Sequence, residues 1–325
     1  MAVQRAAQYF VGVDVGGTKI LAGLFNRSLK LLGTVKLKTK ANRGGDAVLD
    51  RIERAIRELL TEHSIHLTQV RAIGVGVPGI VHQGRVFGAT NIGWEDVPIR
   101  ALLNRRLRRP VAVENDCNLF TLGIHTLELK RKPRTMVGVF LGTGFGGGII
   151  INNKLYTGFN RSAGEFGQMV ISKGGLKTGA GIRGSLESLA SRTGIVRRLR
   201  KAVLEGGETI LQEELGAQLK GVRSRHLRQA ITARDPLVRR VVRSVAEDTG
   251  LGVAAIVSAF GPEYVVMGGG VIEALHGTML PIIRKTVETH VLPGTLDGVQ
   301  IVTSALGDDG GISGAAVLAR DGVAK

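Results

Sequence analysis

The chain has 325 residues, with 44 basic side chains against 27 acidic ones for a net charge of +17, 47 glycines, one cysteine and 4% aromatics. An apolar share of 43% with 22% charged residues excludes a disordered chain, and the length suffices for two hydrophobic cores. Glycine without a three-residue period excludes collagen, and the lone Cys117 excludes a disulfide framework and any multi-cysteine metal site.

The first hundred residues read as strands followed by alternating helices and strands. Three β-type runs, 9–15, 20–25 and 31–38, are separated by GGTK and NRSLK and predict an antiparallel meander. Residues 46–63 switch to helical spacing, with Val48, Leu49, Ile52, Ile56, Leu59 and Leu60 on one face. A strand at 72–77 ends at Pro78-Gly79, a short basic helix covers 98–108, and a strand at 111–113 leads into Glu114-Asn115-Asp116. This βββαβαβ order predicts a mixed sheet with helices packed on it. Val137-Gly138-Val139 repeats Val11-Gly12-Val13, and in both places an apolar strand enters a glycine-rich turn and returns as a strand, a sign of internal duplication. Helical stretches at 185–204 and 236–260, a buried strand at 264–267, a helix through 272–289, a strand at 299–306 and a helix after 310 complete the reading. The expected domains are 1–120, completed by helix 308–325, and 121–307. No run approaches the length of about 18 apolar residues that a membrane span needs. The start, MAVQRAAQYFVGVDVGG, lacks a signal-peptide pattern, so a cytoplasmic location is expected.

Three glycine clusters lie at strand ends. Gly16, Gly17, Thr18 and Lys19, after Asp14, form a turn whose backbone N–H groups can approach a phosphate while the lysine adds charge. It is neither a Walker A loop nor followed by a helix. Gly142-Thr143-Gly144 begins a second turn of this kind, and strand follows it, so a dinucleotide fingerprint fails its context. Gly268 and Gly269 follow the strand YVVM and open a helix, where a nucleotide can lie against bare backbone. Asp116 follows a strand at the position where open α/β sheets place ligand-contacting residues, and a carboxylate there can take a hydroxyl proton during phosphoryl transfer. Asn115 and Asp116 equally suit a helix cap, and the residues alone leave both readings open. Glu165 in AGEFGQ and Glu187 in GSLES suit a polyol, and Cys117 reads as a packed thiol. The arginine-rich stretches at 100–109, 130–134 and 192–243 are not interleaved with aromatics, so no base-stacking surface is expected and the charge reads as solvated helix faces with general anion attraction.

Taken in order, VGVDVGGTKI, VENDCNL, FLGTGFGGGI, AGEFGQ, PEYVVMGGGV and LGDDGGISGAA resemble the motifs of the ROK family of repressors, open reading frames and sugar kinases, over almost the whole chain from Val11 to about Ala319. The resemblance implies a two-domain actin-like (ribonuclease H-like) ATPase fold of α/β class with an interdomain cleft. It implies ATP with Mg²⁺, a hexose as substrate, and a homodimer or homotetramer. Asp116 then resembles the general base, while Gly79, Asn91, Asn115, Glu165, Gln168 and Glu187 match sugar-site positions. Gly16, Gly17, Thr18, Lys19, Thr143 and Gly144 match the phosphate cradle, Asp14 the carboxylate near Mg²⁺, and Gly268 and Gly269 the adenosine segment. The family commonly holds a structural zinc through the histidine of GExGH and three cysteines of CxCGxxGCxE. Those positions are Gln168, Thr178, Ala180 and Ser185 here, so no zinc is expected. The leading expectation is an ATP-dependent hexose kinase acting on glucose. The alternatives are another hexose or N-acetylhexosamine, polyphosphate as donor, a silent sugar-binding protein, or a transcriptional regulator; the ten residues before Val11 leave a recognition helix no room.

Overall fold

The computed structural model describes residues 8–175, 177–178 and 181–322. The opening strands β1 (Tyr9–Val15), β2 (Lys19–Phe25) and β3 (Leu31–Lys38) form the expected antiparallel meander, with Gly12 opposite Gly23. Helix α1 (Gly45–Glu62) buries the apolar face its spacing predicts, from Val48 to Leu60. Strand β4 (Val70–Val77) pairs parallel with β1. Between it and α2 (Ile99–Leu107) lies a separate three-stranded sheet, β5 (Ile80–His82), β6 (Arg85–Ala89) and β7 (Trp94–Val97), absent from the sequence reading. These strands are three to five residues long and glycine-interrupted, too short to show a two-residue period. Strand β8 (Val111–Asn115) then closes the first sheet in the order β3-β2-β1-β4-β8.

From α3 (Asp116–Gly123) the chain passes through a π turn, Ile124–Glu128, into β9 (Met136–Leu141), β10 (Phe145–Ile151) and β11 (Lys154–Tyr156). The predicted helix 185–204 is broken into α4 (Leu186–Ala190) and α5 (Arg192–Leu204), because the Ser191 side chain accepts from Gly194 N at 3.1 Å and starts a new helix. After α6 (Leu211–Leu215) and α7 (Ser224–Thr232), the long α8 (Pro236–Phe260) is capped by Asp235, which accepts from Val238 N at 2.8 Å, with proline at its first position. Strand β12 (Tyr264–Gly268), α9 (Gly270–His290), β13 (Gln300–Thr303) and α10 (Gly310–Gly322) follow. The predicted strand 299–306 stops early because Ser304 and Ala305 bond instead to the Glu128 carboxylate.

The second sheet, β11-β10-β9-β12-β13, repeats the first in strand order and direction, with Gly138 opposite Gly148 where the first sheet sets Gly12 against Gly23. The duplication legible in the glycine turns therefore extends to both sheets. Each sheet has its own apolar core. Helix α10 leaves the second half of the sequence and packs on β1 and β4 with Phe10, Leu21, Phe25, Leu119 and Ile312. A β-carbon on Gly12 or Gly74 would overlap backbone of α10, and one on Gly314 would overlap the Leu119 carbonyl of α3. Thr121 of α3 lies equally close to Gly138 and Gly148 of the second sheet. Among the described residues no helix is long and apolar enough to cross a membrane.

Gly314→Ala forces backbone apart and is expected to lower stability by about 2 kcal/mol or more. Gly277→Ala, on the open face of α9 with nothing near its would-be β-carbon, should raise it by about 1 kcal/mol. Thermal or urea denaturation of the two variants beside wild type measures both.

Candidate active site

The ends of five strands meet at one cleft. The β1–β2 turn brings Gly16, Gly17 and Thr18, the end of β4 brings Pro78 and Gly79, and the β8–α3 junction brings Asn115, Asp116 and Cys117. The second sheet contributes Thr143 and Gly144 from the β9–β10 turn and Gly269 after β12, and Asn91, Glu165 and Glu187 complete the lining of a cavity of about 670 Å³. Parallel strand ends leave such crevices because neighbouring connections diverge there. Of the sequence-predicted residues, twelve line this cavity. Asp14 opens onto a smaller adjoining cavity of about 110 Å³ that Asp116 shares. Gly268 lines a separate one of about 190 Å³ with Glu273 and His276.

Asp116 is the first residue of α3, and Asn115 is its cap, accepting from Asn118 N at 3.1 Å. Asn115 thus realises the cap reading, and both residues line the cavity. Asn115 also donates to the Gly79 carbonyl at 3.1 Å, which ties the end of β8 to the loop after β4. Burial pushes the Asp116 carboxyl above its ordinary value, opposed by the Cys117 N–H that it accepts at 2.8 Å. Asp14 is raised to about 7, first by burial and then by the Asp116 charge, with Lys19 opposing. Burial raises Glu165 as well, with Asp116 and Glu187 adding to it. The Cys117 thiol, half-buried beside Asp116 and Glu165, is held well above its ordinary value by burial and then by those charges.

The glycine turns are held from outside. Thr39 Oγ1 donates to the Gly16 carbonyl at 2.6 Å, and Glu187 accepts from Phe145 N at 3.0 Å, so Glu187 orients the second turn while facing the cavity. Lys19 does not line the cavity: its Nζ lies 2.5 Å from Asp308, just ahead of α10, and this bond lowers the Asp308 carboxyl. Gln168 also lies outside the lining, with its Oε1 buried and unpartnered. Of the positions matched to zinc ligands, Thr178 and Ser185 spend their hydroxyl oxygens on backbone, accepting from Ile182 N at 3.2 Å and Ser188 N at 3.3 Å. Ala180 lies outside the described residues.

One element of the site has no sequence signal. Glu114, 4% exposed, accepts from Asn115 N at 2.9 Å, from Asn118 Nδ2 at 3.2 Å and from the Arg161 guanidinium. Arg161 also donates to the Val81 carbonyl at 3.2 Å. The Glu165 loop is thereby fastened to the segment that carries Asp116.

The repetition of one strand order in two lobes around a cleft defines the actin-like class of fold. The chain belongs to the ROK family, whose model matches residues 10–322. A glucokinase of Halalkalibacterium halodurans is 33% identical over 317 residues, covering 96% of this chain and 95% of that one. One of Streptomyces coelicolor is 33% identical over 317 residues, with 96% and 97% covered. The crystal structure of a ROK family glucokinase from Streptomyces griseus, in complex with glucose and AMPPNP, superposes with a TM-score of 0.84 at 32% identity, covering 96% of this chain and 99% of that one.

Arg161→Ala strands the Glu114 carboxylate in the interior. Because the Arg161 side chain is 33% exposed, solvent reduces the effect, and about 1–3 kcal/mol is expected. A double-mutant cycle with Glu114→Gln in urea denaturation should return a coupling energy well above zero, whereas additive variants would mean the two side chains act independently.

Proposed function

We propose that the protein is an ATP-dependent hexose kinase that converts glucose to glucose 6-phosphate, with Asp116 as general base. The observation that carries this reading is the half-buried Asp116 carboxylate, set at the amino end of α3 in a cavity flanked by two glycine turns, one from each sheet. The glucokinase relatives and the glucose and AMPPNP complex of the Streptomyces griseus protein support it.

The sugar lies against Asn91, Asn115, Glu165 and Glu187. Asn115 keeps one amide hydrogen and one lone pair free after its bonds to Gly79 and Asn118, so it can both donate to and accept from hydroxyls. Asp116 takes the proton of the attacking hydroxyl as the oxygen bonds to phosphorus. Burial makes Asp116 a stronger base than an ordinary aspartate and so improves proton transfer. The backbone N–H groups of the two turns receive the phosphate oxygens, and Lys19 supplies charge once it exchanges Asp308 for phosphate. Asp14 and Asp116 share a cavity and raise each other's cost of ionisation, an arrangement that a cation relieves; these residues would hold Mg²⁺. Mg²⁺ bound there would neutralise charge on the donor's phosphates. Adenosine lies against Gly269.

Asp116→Asn should lower kcat by about 10²–10⁴ while glucose binding survives. A coupled assay with ATP or polyphosphate against glucose, mannose, fructose, N-acetylglucosamine and N-acetylmannosamine tests this, and wild type no faster than the variant on every pair would sink the reading.

Asp14, titrating at about 7, is anionic above that pH and protonated below it. The Mg²⁺ concentration for half-maximal rate should therefore rise as pH falls from about 8 to about 6, and Asp14→Asn should flatten that dependence while weakening Mg²⁺ throughout. An unchanged Mg²⁺ requirement across the range in wild type contradicts the role given to Asp14.

A further inference from the structure

Helix α5 begins against the second glycine turn. The Arg192 N–H donates to the Gly142 carbonyl at 3.0 Å, Thr193 Oγ1 donates to the Thr143 carbonyl at 2.8 Å, and Arg192 Nη2 donates to Thr143 Oγ1 at 2.5 Å. Thr143 lines the main cavity, so the guanidinium lies one residue behind its wall. By accepting from Arg192, the Thr143 hydroxyl has its own proton left to donate.

The surroundings of Arg192 are cationic. Burial, followed by the charge of Arg223, holds its guanidinium below its ordinary value, and no carboxylate opposes them. Other half-buried arginines have a carboxylate partner: Arg106 has Asp50, Arg161 has Glu114 and Arg198 has Asp248. Arg223 immediately precedes α7, and the next residue, Ser224, has a buried hydroxyl without a partner, about 3.6 Å from where a β-carbon on Gly270 would sit. Arg192 thus stands at Thr143 in the second turn, and Ser224, next in sequence to Arg223, stands beside Gly270 at the head of α9. Arg192 is half-buried and Arg223 exposed; their like charges repel, and an anion between them offsets that repulsion. The planar, rigid fork of arginine donates to two oxygens at once and suits a chain of linked phosphates, which offers several in a row.

We propose that Arg192 is a specificity-determining residue for the phosphate donor: with Arg223 it seats a chain of linked phosphates on the outer side of the second glycine turn, and it orients the Thr143 hydroxyl toward that chain. The proposal rests on the kinase reading above and deepens it by naming what reads the donor. Arg192 takes no proton and touches no sugar; its effect on the transferred group passes through Thr143. Linked phosphates are common to nucleoside triphosphates and inorganic polyphosphate, and the experiment separates them.

The test compares wild type, Arg192→Ala and Arg192→Lys, each first checked for an unchanged melting temperature. Steady-state rates give the KM for ATP and for glucose, and titration calorimetry without sugar gives the affinity for ATP and for inorganic tripolyphosphate. Loss of a charged hydrogen bond corresponds to about a tenfold change or more. The KM for ATP should therefore rise about tenfold in Arg192→Ala, with the KM for glucose within about twofold of wild type and Arg192→Lys in between. Weaker tripolyphosphate binding with ATP binding unchanged supports the seat and assigns it to polyphosphate; weaker ATP binding assigns it to the nucleotide. Unchanged affinity for both, or an equal rise in the KM for ATP and glucose, overturns the proposal. If wild type phosphorylates no hexose, the kinase reading falls, and the calorimetric comparison still decides whether Arg192 binds linked phosphates.

Discussion

Everything in this molecule depends on how closely α3 and α10 approach each other and the two sheets. Helix α10 lies on β1 and β4 at positions where Gly12 and Gly74 present bare backbone, and Gly314 lets it meet α3 backbone to backbone. Helix α3 in turn sets Thr121 against Gly138 and Gly148. Side chains at Gly12 or Gly74 would push α10 off the first sheet, and side chains at Gly138 or Gly148 would push α3 off the second. Asp116 begins α3 in the cleft, and Asp308, just ahead of α10, holds Lys19 beside it, so the same two helices position a carboxylate and a lysine. The separation of the phosphate turns from Asp116 is therefore fixed by backbone contact, which has far less freedom than side-chain packing.

The electrostatics run opposite to the composition. A chain of net charge +17 gathers Asp116, Glu165 and Glu187 around one cavity and Asp14 on the one adjoining it; burial raises Asp14, Asp116 and Glu165, and repulsion adds to it at Asp14 and Glu165. Among the described residues no lysine or arginine lines either cavity. Charges of this arrangement draw polyanions toward the cleft over long distance while leaving its floor short of cations. Lysine 19, already paired with Asp308, illustrates the economy: its charge is stored next to the site and needs only a change of partner.

What the sequence revealed and what it hid follow a physical line. The meander, the paired glycine turns and the cap at Asn115-Asp116 were legible because each is written in consecutive residues whose backbone conformation they dictate. The sheet β5–β7 was not, because its strands are too short for periodicity and are stabilised by pairing with one another. The break between α4 and α5 depends on one serine choosing to cap, which a continuous helical pattern conceals. Arg161 reaching Glu114, 47 residues earlier, and Arg192 reaching Thr143, 49 residues earlier, have no local signature at all. The residues that would face ligand were thus readable, and those that hold them in place were not.

The path of α10 has a consequence for how the chain is made. Phe10, Leu21 and Phe25 share a core with Ile312 and Ala316, roughly three hundred residues further on. During synthesis the first sheet therefore exists for most of the chain's growth with one apolar face uncovered, and the second lobe can assemble around its own core before the first is complete. The lobe that begins first is finished last. Closure of the molecule on itself and completion of its oldest sheet are then a single event, so a chain released with its cleft formed is one whose first residues and last helix have already met.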